Sequence, residues 1–519
     1  MDNRIQQIVV VGGGSAGWLT AAILAAEYKT NHGDNSISIC LIESSTVSPI
    51  GVGEGTWPSM RATLENIGLS ETDFVRQCDA SFKQGSKFTN WKTADNHHYF
   101  HPFTFPVGIE QFDLAPYWLP HNQQISWADA VTPQGHLSHH NLAPKQVSTA
   151  EYAYVANYGY HLDAGKFTEL LRQHCINKLG VKHLIGHIEK VNSKECGDIH
   201  SVTTPEQGEI EGDLFIDCSG FNALLIGQHF DIPFVSQKQF LFNDTALAVH
   251  VPYQQPQDPI ASHTLSTAQS SGWIWDIGLS SRRGVGYTFS NAHISMDDAE
   301  QQLRHYIQPT MGAKAASSAE IRKIAIQPGY RQKFWHKNCV AVGMAAGFIE
   351  PLEASALVLV ELSAQMICEQ LPQSRLPMDI VAKRFNQKFT HRWQQVIEFL
   401  KLHYALSQRS DSDYWHDHRN KNSNPDSLNE LLSLWQSNLP SKYDITQTDA
   451  LFPAASYQYV LYGMGYMPEH PLRVKRLDKQ RQAEKLFNQN MQQSKQLLAA
   501  LPSNRELLNK IKQYGLPKI

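Results

Sequence analysis

Ile8-Val9-Val10-Val11-Gly12-Gly13-Gly14-Ser15-Ala16-Gly17-Trp18 decides the fold of this chain. Four consecutive aliphatic residues read as a strand buried on both faces, and the glycines behind them cannot continue it. The apolar run resumes at once, so a strand over 5–11, a tight turn and a helix over 15–29 follow one another, and a second strand over 36–43 ends on Glu43. Gly12-x-Gly14-x-x-Gly17 between strand and helix is a dinucleotide fingerprint. Glycine allows the turn and a close backbone approach to a pyrophosphate. The helix N-terminus at Ser15 and Ala16 favours its charge, and a carboxylate ending the second strand accepts from ribose hydroxyls. Glu43, without a nearby arginine, points to a ribose that lacks a 2′-phosphate. The same run imitates a signal peptide or a membrane span, but glycines interrupt it and Glu27 and Lys29 close it.

Outward from this unit, residues 49–56 form a loop of small and cyclic residues beside the nucleotide, and 58–80 reads as helical. A long aromatic and histidine-rich stretch to about Gln146 shows little periodicity and suggests an irregular insertion or a lid. A helix is expected over 163–179. The apolar segment 212–220 reads as a strand ending in small residues, a second contact for the nucleotide. Segments 245–251, 271–279 and 284–290 alternate like strands of an antiparallel sheet, and 338–347 reads as strand, turn and helix. Beyond about Asp379 long helices dominate. Ala483, Phe487, Met491, Ser494, Leu498 and Leu501 fall on one helical face, and Ser503 with Glu506 makes a capping box.

The 519 residues carry 45 Lys+Arg against 49 Asp+Glu, a net charge of -4, which leaves no electrostatic footprint for nucleic acid. At 42% hydrophobic and 18% charged the chain is globular rather than disordered. Seven cysteines without metal-ligand or redox spacing favour a reduced, cytoplasmic setting. His97, His98, His101, His121, His136, His139 and His140 are loosely grouped, but there is no HExxH pattern, and a metal is not expected. No other stretch is apolar enough to span a membrane. Eleven Trp, 19 Tyr and 22 Phe supply rigid faces that suit a flat organic ligand as well as filled cores.

Four strings in order narrow this further: Gly12-x-Gly14-x-x-Gly17-Trp18, Phe82-Lys83, Gly272-Trp273-Ile274-Trp275-Asp276-Ile277, and Gly347-Phe-Ile-Glu-Pro-Leu-Glu353. With Val52-Gly53-Glu54-Gly55-Thr56, Tyr160-His-Leu-Asp163 and Leu402-His-Tyr404, the chain resembles the flavin-dependent tryptophan halogenase family from its N-terminus into the C-terminal helices. The resemblance implies an α/β fold: a Rossmann-like FAD-binding body of the glutathione-reductase type, with an antiparallel sheet and a mostly helical substrate and C-terminal subdomain. The FAD body would comprise 1–95, 150–235 and 320–378, the substrate-facing insertion and sheet 96–149 and 236–319, and the helical part 379–519.

The resemblance also implies that FADH2, delivered by a separate flavin reductase, and O2 oxidise chloride or bromide to hypohalous acid, which crosses a tunnel to an aromatic substrate. Lys83 would hold the hypohalous acid by hydrogen bond or as a haloamine, work that suits an amine. Glu353 would polarise the oxidant or take the proton leaving the ring, with Glu350 the competing carboxylate. Gly12, Gly14, Ser15, Ala16, Gly17, Glu43, Val52, Gly53, Glu54, Gly343 and Leu352 would contact FAD. Ser355 and Ala356 would hold the halide, Ser355 standing where threonine is usual. Trp273 and Trp275 would fence flavin from substrate. Gly278 replaces the family's proline after Ile277, which would loosen that strand. His101 and Phe103 would contact the aromatic ring. Residues 443–466 offer Phe452, Tyr457 and Tyr459 but not the glutamate and aromatic pair that grip free tryptophan, so a peptide-borne or decorated indole, a phenol or a pyrrole is at least as suitable. The length of the C-terminal helices is compatible with a homodimer. Two other readings remain: an FAD-dependent aromatic monooxygenase, and a flavin-binding protein without turnover.

Overall fold

The computed structural model describes residues 4–28, 37–46, 53–445, 449–468 and 477–518. The chain forms two compact units, each assembled from three separated segments. The first comprises Met1–Asp79, Leu162–Gln237 and Gln327–Trp393, and the second Ala80–His161, Lys238–Ile326 and Gln394–Ile519.

In the first unit a six-stranded sheet runs in the order Trp335–His336, Cys339–Ala341, Leu214–Asp217, Gln7–Val11, Ser38–Glu43, Lys182–Ile185. All neighbours are parallel except the edge pair Trp335–His336 and Cys339–Ala341. Val10 sits between Leu41 and Ile216, and Ile8 through Val11 are all buried, the reason four aliphatics occur in a row. The helix Ser15–Tyr28 follows, with Trp18, Leu19, Ala21, Ala22, Leu24 and Ala25 buried. It packs against the helices Ala164–His174 and Ser355–Gln370, so an apolar surface on several sides reflects burial in protein. Among the described residues no helix is long and apolar enough to cross a membrane.

Three expected elements end differently. The helix expected over 58–80 divides into Ser59–Asn66 and Glu71–Gln77, because Gly68 takes φ +77° and Ser70 caps a new helix by accepting from the Asp73 N–H. The helix after Asp163 is regular over Ala164–His174, then widens into a π-helical turn over Cys175–Leu179 that Gly180 closes at φ +75°. After the strand Cys339–Ala341, left-handed Gly343 admits only a single 3-10 turn, the strand Gly347–Phe348 follows, and the next helix waits until Ser355.

The second unit is built on a seven-stranded sheet in the order Arg322–Ala325, Thr245–Pro252, Arg282–Phe289, Gly272–Gly278, Thr264–Gln269, Gly85–Thr89, His98–Pro102. The strands expected over 245–251, 271–279 and 284–290 are present and antiparallel. Leu247, Val249, Ile274, Val285, Tyr287 and Phe289 face one side and pack on Ala299, Leu303 and Ile307 of the helix Met296–Met311. The stretch read as an irregular insertion is instead ordered. It contributes the edge strand and the helices Ala115–Trp118, Trp127–Val131 and Gln134–His139, and its aromatics pack against each other, Trp118 on Trp127 at 5.2 Å. Short helices buried through aromatic pairs leave no periodic apolar stripe to read.

The capping box at Ser503 and Glu506 opens the helix Asn504–Tyr514. The preceding helix, Leu477–Ala500, buries much of the face expected, with Phe487 and Leu498 half-buried, but is rotated enough to expose Met491 and to draw Leu486 and Asn490 inward. Ala483, Leu486, Asn490 and Ser494 are buried, whereas Met491 is exposed. The cause is Asn490, whose Nδ2 donates to the carbonyls of Asp129 and Ala130 at 2.9 and 3.0 Å and so belongs inside.

Candidate active site

In the first unit, the turn after Gln7–Val11 is crowded at three glycines and open at the fourth. A Cβ on Gly12, which has φ +113°, would lie 2.3 Å from the Cys218 carbonyl oxygen, and one on Gly17 would lie 1.9 Å from the Gly12 carbonyl oxygen. A Cβ on Gly13 would fall 1.5 Å from Oε2 of Glu43, so the carboxylate lies directly against the turn. Above Gly14 there is nothing within 4 Å. An open face over a glycine at a helix N-terminus, with a carboxylate at its side, is the donor and acceptor set that a dinucleotide needs. Glu43 is held in place by His183, whose Nε2 donates to Oε1 at 2.8 Å. Ser15 turns its hydroxyl toward Thr168 at 3.0 Å, leaving its backbone at the helix start.

Gly343 brings a second wall onto this helix. It has φ +67°, and a Cβ there would lie 2.6 Å from that of Ala16. Gly53 and Glu54 belong to the strand Gly53–Gly55, where burial pushes the Glu54 carboxyl up to about 7. Val52 lies outside the described residues.

The segment from Leu352 to Ala356 carries the most unusual backbone. Glu353 and Ala354 adopt φ 64° and 54°, two consecutive left-handed residues that are not glycine. Such geometry costs roughly 1–2 kcal/mol per residue and persists only where neighbours impose it. One such neighbour is Trp57, whose Nε1 donates to the Glu353 carbonyl at 2.7 Å. Leu352, Glu353 and Ser355 are buried and Ala356 is exposed. The helix Ser355–Gln370 starts here without a side-chain cap, so its first N–H groups are available to an anion. Glu361, one and a half turns on, is fully buried and accepts from Thr63 Oγ1 at 2.5 Å and Ser59 Oγ at 3.2 Å. Burial pushes its carboxyl up to about 7.

Sequence reasoning missed Trp57 and Glu361, since neither belongs to a recognisable string. It also passed over Asp217. This fully buried carboxylate ends the strand Leu214–Asp217 and accepts from the N–H groups of Ser219, Leu225 and Ile226 and the Ser219 hydroxyl, holding the Cys218–Ser219 turn beside Gly12.

In the second unit, Lys83 ends the short strand Ser81–Lys83 and is 1% exposed, with Nζ 5.3 Å from the centroid of the Phe103 ring. An ammonium at this distance from an aromatic face is in cation–π contact. Phe103 is fixed by its N–H to the Gln84 carbonyl at 3.0 Å. His161 stands opposite Ser81 in the paired strand and contacts Thr264 Oγ1 at 2.8 Å. Burial, and then the charge of Lys83, hold its imidazole well below the usual histidine range, so it is neutral. His101 packs between Phe399 and Tyr459, at 5.6 and 5.9 Å. Phe452 stacks on Phe399, Tyr457 donates to Glu398 at 2.8 Å, and Tyr459 donates to the Thr104 carbonyl at 2.9 Å.

Trp273 and Trp275 share the sheet face opposite Ile274, both buried, their rings 6.2 Å apart and edge-on. Gly286 on the neighbouring strand makes room, since a Cβ there would lie 2.0 Å from the Trp275 ring. The looser strand expected from Gly278 is not found. Gly278 pairs with Arg283, and its carbonyl accepts from Ser81 Oγ at 2.5 Å, which ties the Lys83 strand to the tryptophan strand.

The family model for tryptophan halogenase matches residues 7–479. A 7-chloro-L-tryptophan 6-halogenase, KtzR, from Kutzneria sp. (strain 744) is 32% identical over 97% of this chain and 99% of its own length. The crystal structure of a tryptophan halogenase from Shewanella frigidimarina NCIMB 400 superposes with a TM-score of 0.96 at 52% identity, covering 100% of both chains. That of the tryptophan 6-halogenase SttH from Streptomyces toxytricini gives 0.89 at 31% identity, covering 97% of this chain and 99% of that one. A nucleotide turn open at Gly14, a buried lysine against a phenylalanine ring and a match over nearly the whole length lead to one conclusion: this chain belongs to the tryptophan halogenase family, flavin-dependent enzymes that place a halogen on an electron-rich aromatic ring.

Proposed function

We propose that the two units divide the reaction, the first holding FAD and halide, the second the aromatic ring. Reduced FAD, supplied by a separate flavin reductase, provides with O2 the oxidising equivalent that converts chloride or bromide to hypohalous acid. Gly12, Gly14 and Gly17, with the N–H groups of Ser15 and Ala16, take the pyrophosphate, and Glu43 takes the ribose. Gly53, Glu54, Gly343 and Leu352 border the flavin. The N–H groups of Ser355 and Ala356, at the uncapped start of the Ser355–Gln370 helix, take the halide. Lys83 binds hypohalous acid by hydrogen bond, or exchanges an N–H for N–X with release of water. Trp273 and Trp275 act as a fence that bounds the space open to the organic substrate. Glu353, two residues before Ser355, polarises the oxidant formed at the halide.

The observation that carries this reading is Lys83, a buried amine 5.3 Å from the Phe103 ring. An oxidised halogen held there is shielded from water and faces the Phe103 ring. Phe452, Tyr457 and Tyr459 present rings rather than a charged clamp, which favours an indole whose amino and carboxyl groups are substituted, as within a peptide, over free tryptophan. All seven cysteines are unpaired, in keeping with a reducing, cytoplasmic setting.

Reduced FAD, O2 and bromide with a panel of free and peptide-borne indoles test the proposal. Brominated product by mass spectrometry is expected, best with the substituted indoles; oxygenated product independent of halide would establish monooxygenase chemistry instead. Lys83→Ala is expected to retain FAD and lose bromination by about two orders of magnitude or more. Bromination at the parent rate would remove Lys83 from its role.

A further inference from the structure

Gln134 opens the Gln134–His139 helix of the second unit, and its side chain is fully buried. Its Oε1 accepts from the Thr104 N–H at 2.8 Å, and its Nε2 donates to the Asn157 carbonyl and, at 3.4 Å, to Oε1 of Gln84. A donor on one side and two acceptors on the other fix the direction of the amide, so a flipped side chain could not satisfy them. Each partner borders the ring site. Gln84 follows Lys83, Thr104 follows Phe103, and Asn157 Nδ2 donates to the Phe103 carbonyl at 2.9 Å. Gln84 is itself anchored, its N–H to the Ser262 carbonyl at 2.7 Å and its Nε2 to the Leu142 carbonyl at 2.8 Å.

We propose that Gln134 is a positioning residue that sets the offset between the Lys83 amine and a substrate ring lying at Phe103, and so governs how much of the oxidised halogen reaches that ring. It touches neither the substrate nor the reacting atoms. It joins the residue after Lys83 to the residue after Phe103 through one rigid amide, inside a buried network where a missing bond leaves polar atoms unpaired. A displacement of about 1 Å between reacting partners is enough to cost a large factor in rate. The inference rests on the reading of Lys83 as the amine that holds the halogen.

The test uses the full-length enzyme with reduced FAD, bromide and indole, and a β-diketone in solution to trap hypobromous acid that escapes. Gln134→Met keeps the volume and loses all three bonds. It is expected to raise the KM for indole by about fivefold or more and to divert most of the oxidised bromide to the trap, with FAD affinity unchanged. Gln134→Glu is expected to behave like Gln134→Met in alkaline buffer, where a carboxylate faces two oxygens. It recovers as the pH falls, because a protonated carboxyl again accepts from Thr104 and donates to Asn157. A residue that merely supports the fold would give no such proton-dependent recovery. Parent-like KM and bromide capture in both variants would overturn the proposal. If Gln134→Met does not fold, a pH-independent Gln134→Glu alone would do so. Lys83→Ala, run alongside, separates the two claims: if it still brominates, the lysine reading falls, and if it is inactive while the Gln134 variants match the parent, only the role of Gln134 falls.

Discussion

At the scale of single residues, backbone strain and burial are concentrated near the start of the Ser355–Gln370 helix. Ala354 sits at φ 54°, ψ 45°, where glycine would be at ease. Ala354→Gly is therefore expected to stabilise the protein by about 1 kcal/mol, read as a rise in melting temperature; a fall would mean the turn relaxes at no cost. Glu361 gives a pH signature. Because burial raises its carboxyl from the ordinary 4.5 to about 7, the folded chain retains a proton that the unfolded chain releases. Its contribution to stability is complete below pH 4.5 and is lost as the pH rises to about 7, by up to about 3 kcal/mol. Melting curves across that window should show Glu361→Gln losing less stability than the parent, and parallel curves would place the carboxyl at an ordinary value. Neither residue was legible in the sequence. Nothing in Ala354-Ser355-Ala356 announces left-handed backbone, and Glu361 is one acid in an apolar helix. The glycine positions were legible, because a residue without a Cβ leaves a direct trace of where chains touch.

At the scale of elements, legibility followed the strength of the period. Strands expected over 5–11, 245–251 and 284–290 are apolar or alternating over most of their length, and each was found, the first starting at Gln7. The helix Leu477–Ala500 was recognised as amphipathic, and Ala483 and Ser494 of its expected face are buried, but Met491 on that face is exposed while its neighbour Asn490 is drawn inward by the Asp129 and Ala130 carbonyls. Asn490 is 3% exposed, and Met491 beside it 49%. Asn490→Ala leaves the carbonyls at the end of the Trp127–Val131 helix without their donor and is expected to destabilise by about 1–3 kcal/mol, whereas Met491→Ser should stay within about 0.5 kcal/mol. Thermal denaturation of the pair checks this, and equal losses would return the helix to the rotation read from its apolar residues. The 96–149 stretch failed to reveal its elements for the opposite reason: its helices are too short to establish a period, and aromatic pairs bury them instead.

At the scale of the whole molecule, each unit draws on three distant stretches of chain. The nucleotide turn near the N-terminus is completed by the strand Leu214–Asp217, by Gly343 and by the helix Ser355–Gln370. A fragment ending at Gln237 contains the entire glycine fingerprint but lacks the strand Cys339–Ala341 and that helix. It is expected to show no cooperative melt and no retained flavin; a fragment that binds FAD would show that the first two segments suffice. A motif search finds the fingerprint and misses this dependence, since order along the chain carries no record of which strands become neighbours. The crowding at Gly12, Gly13 and Gly17 against the open space above Gly14 has a practical corollary. Substitution at the first three strikes the protein's own atoms, while alanine at Gly14 occupies only space that a bound dinucleotide would claim. Gly14→Ala is thus expected to be a separation-of-function allele, a folded chain with its flavin binding weakened, and so the blank for every assay of this enzyme in which free reduced flavin makes peroxide of its own accord.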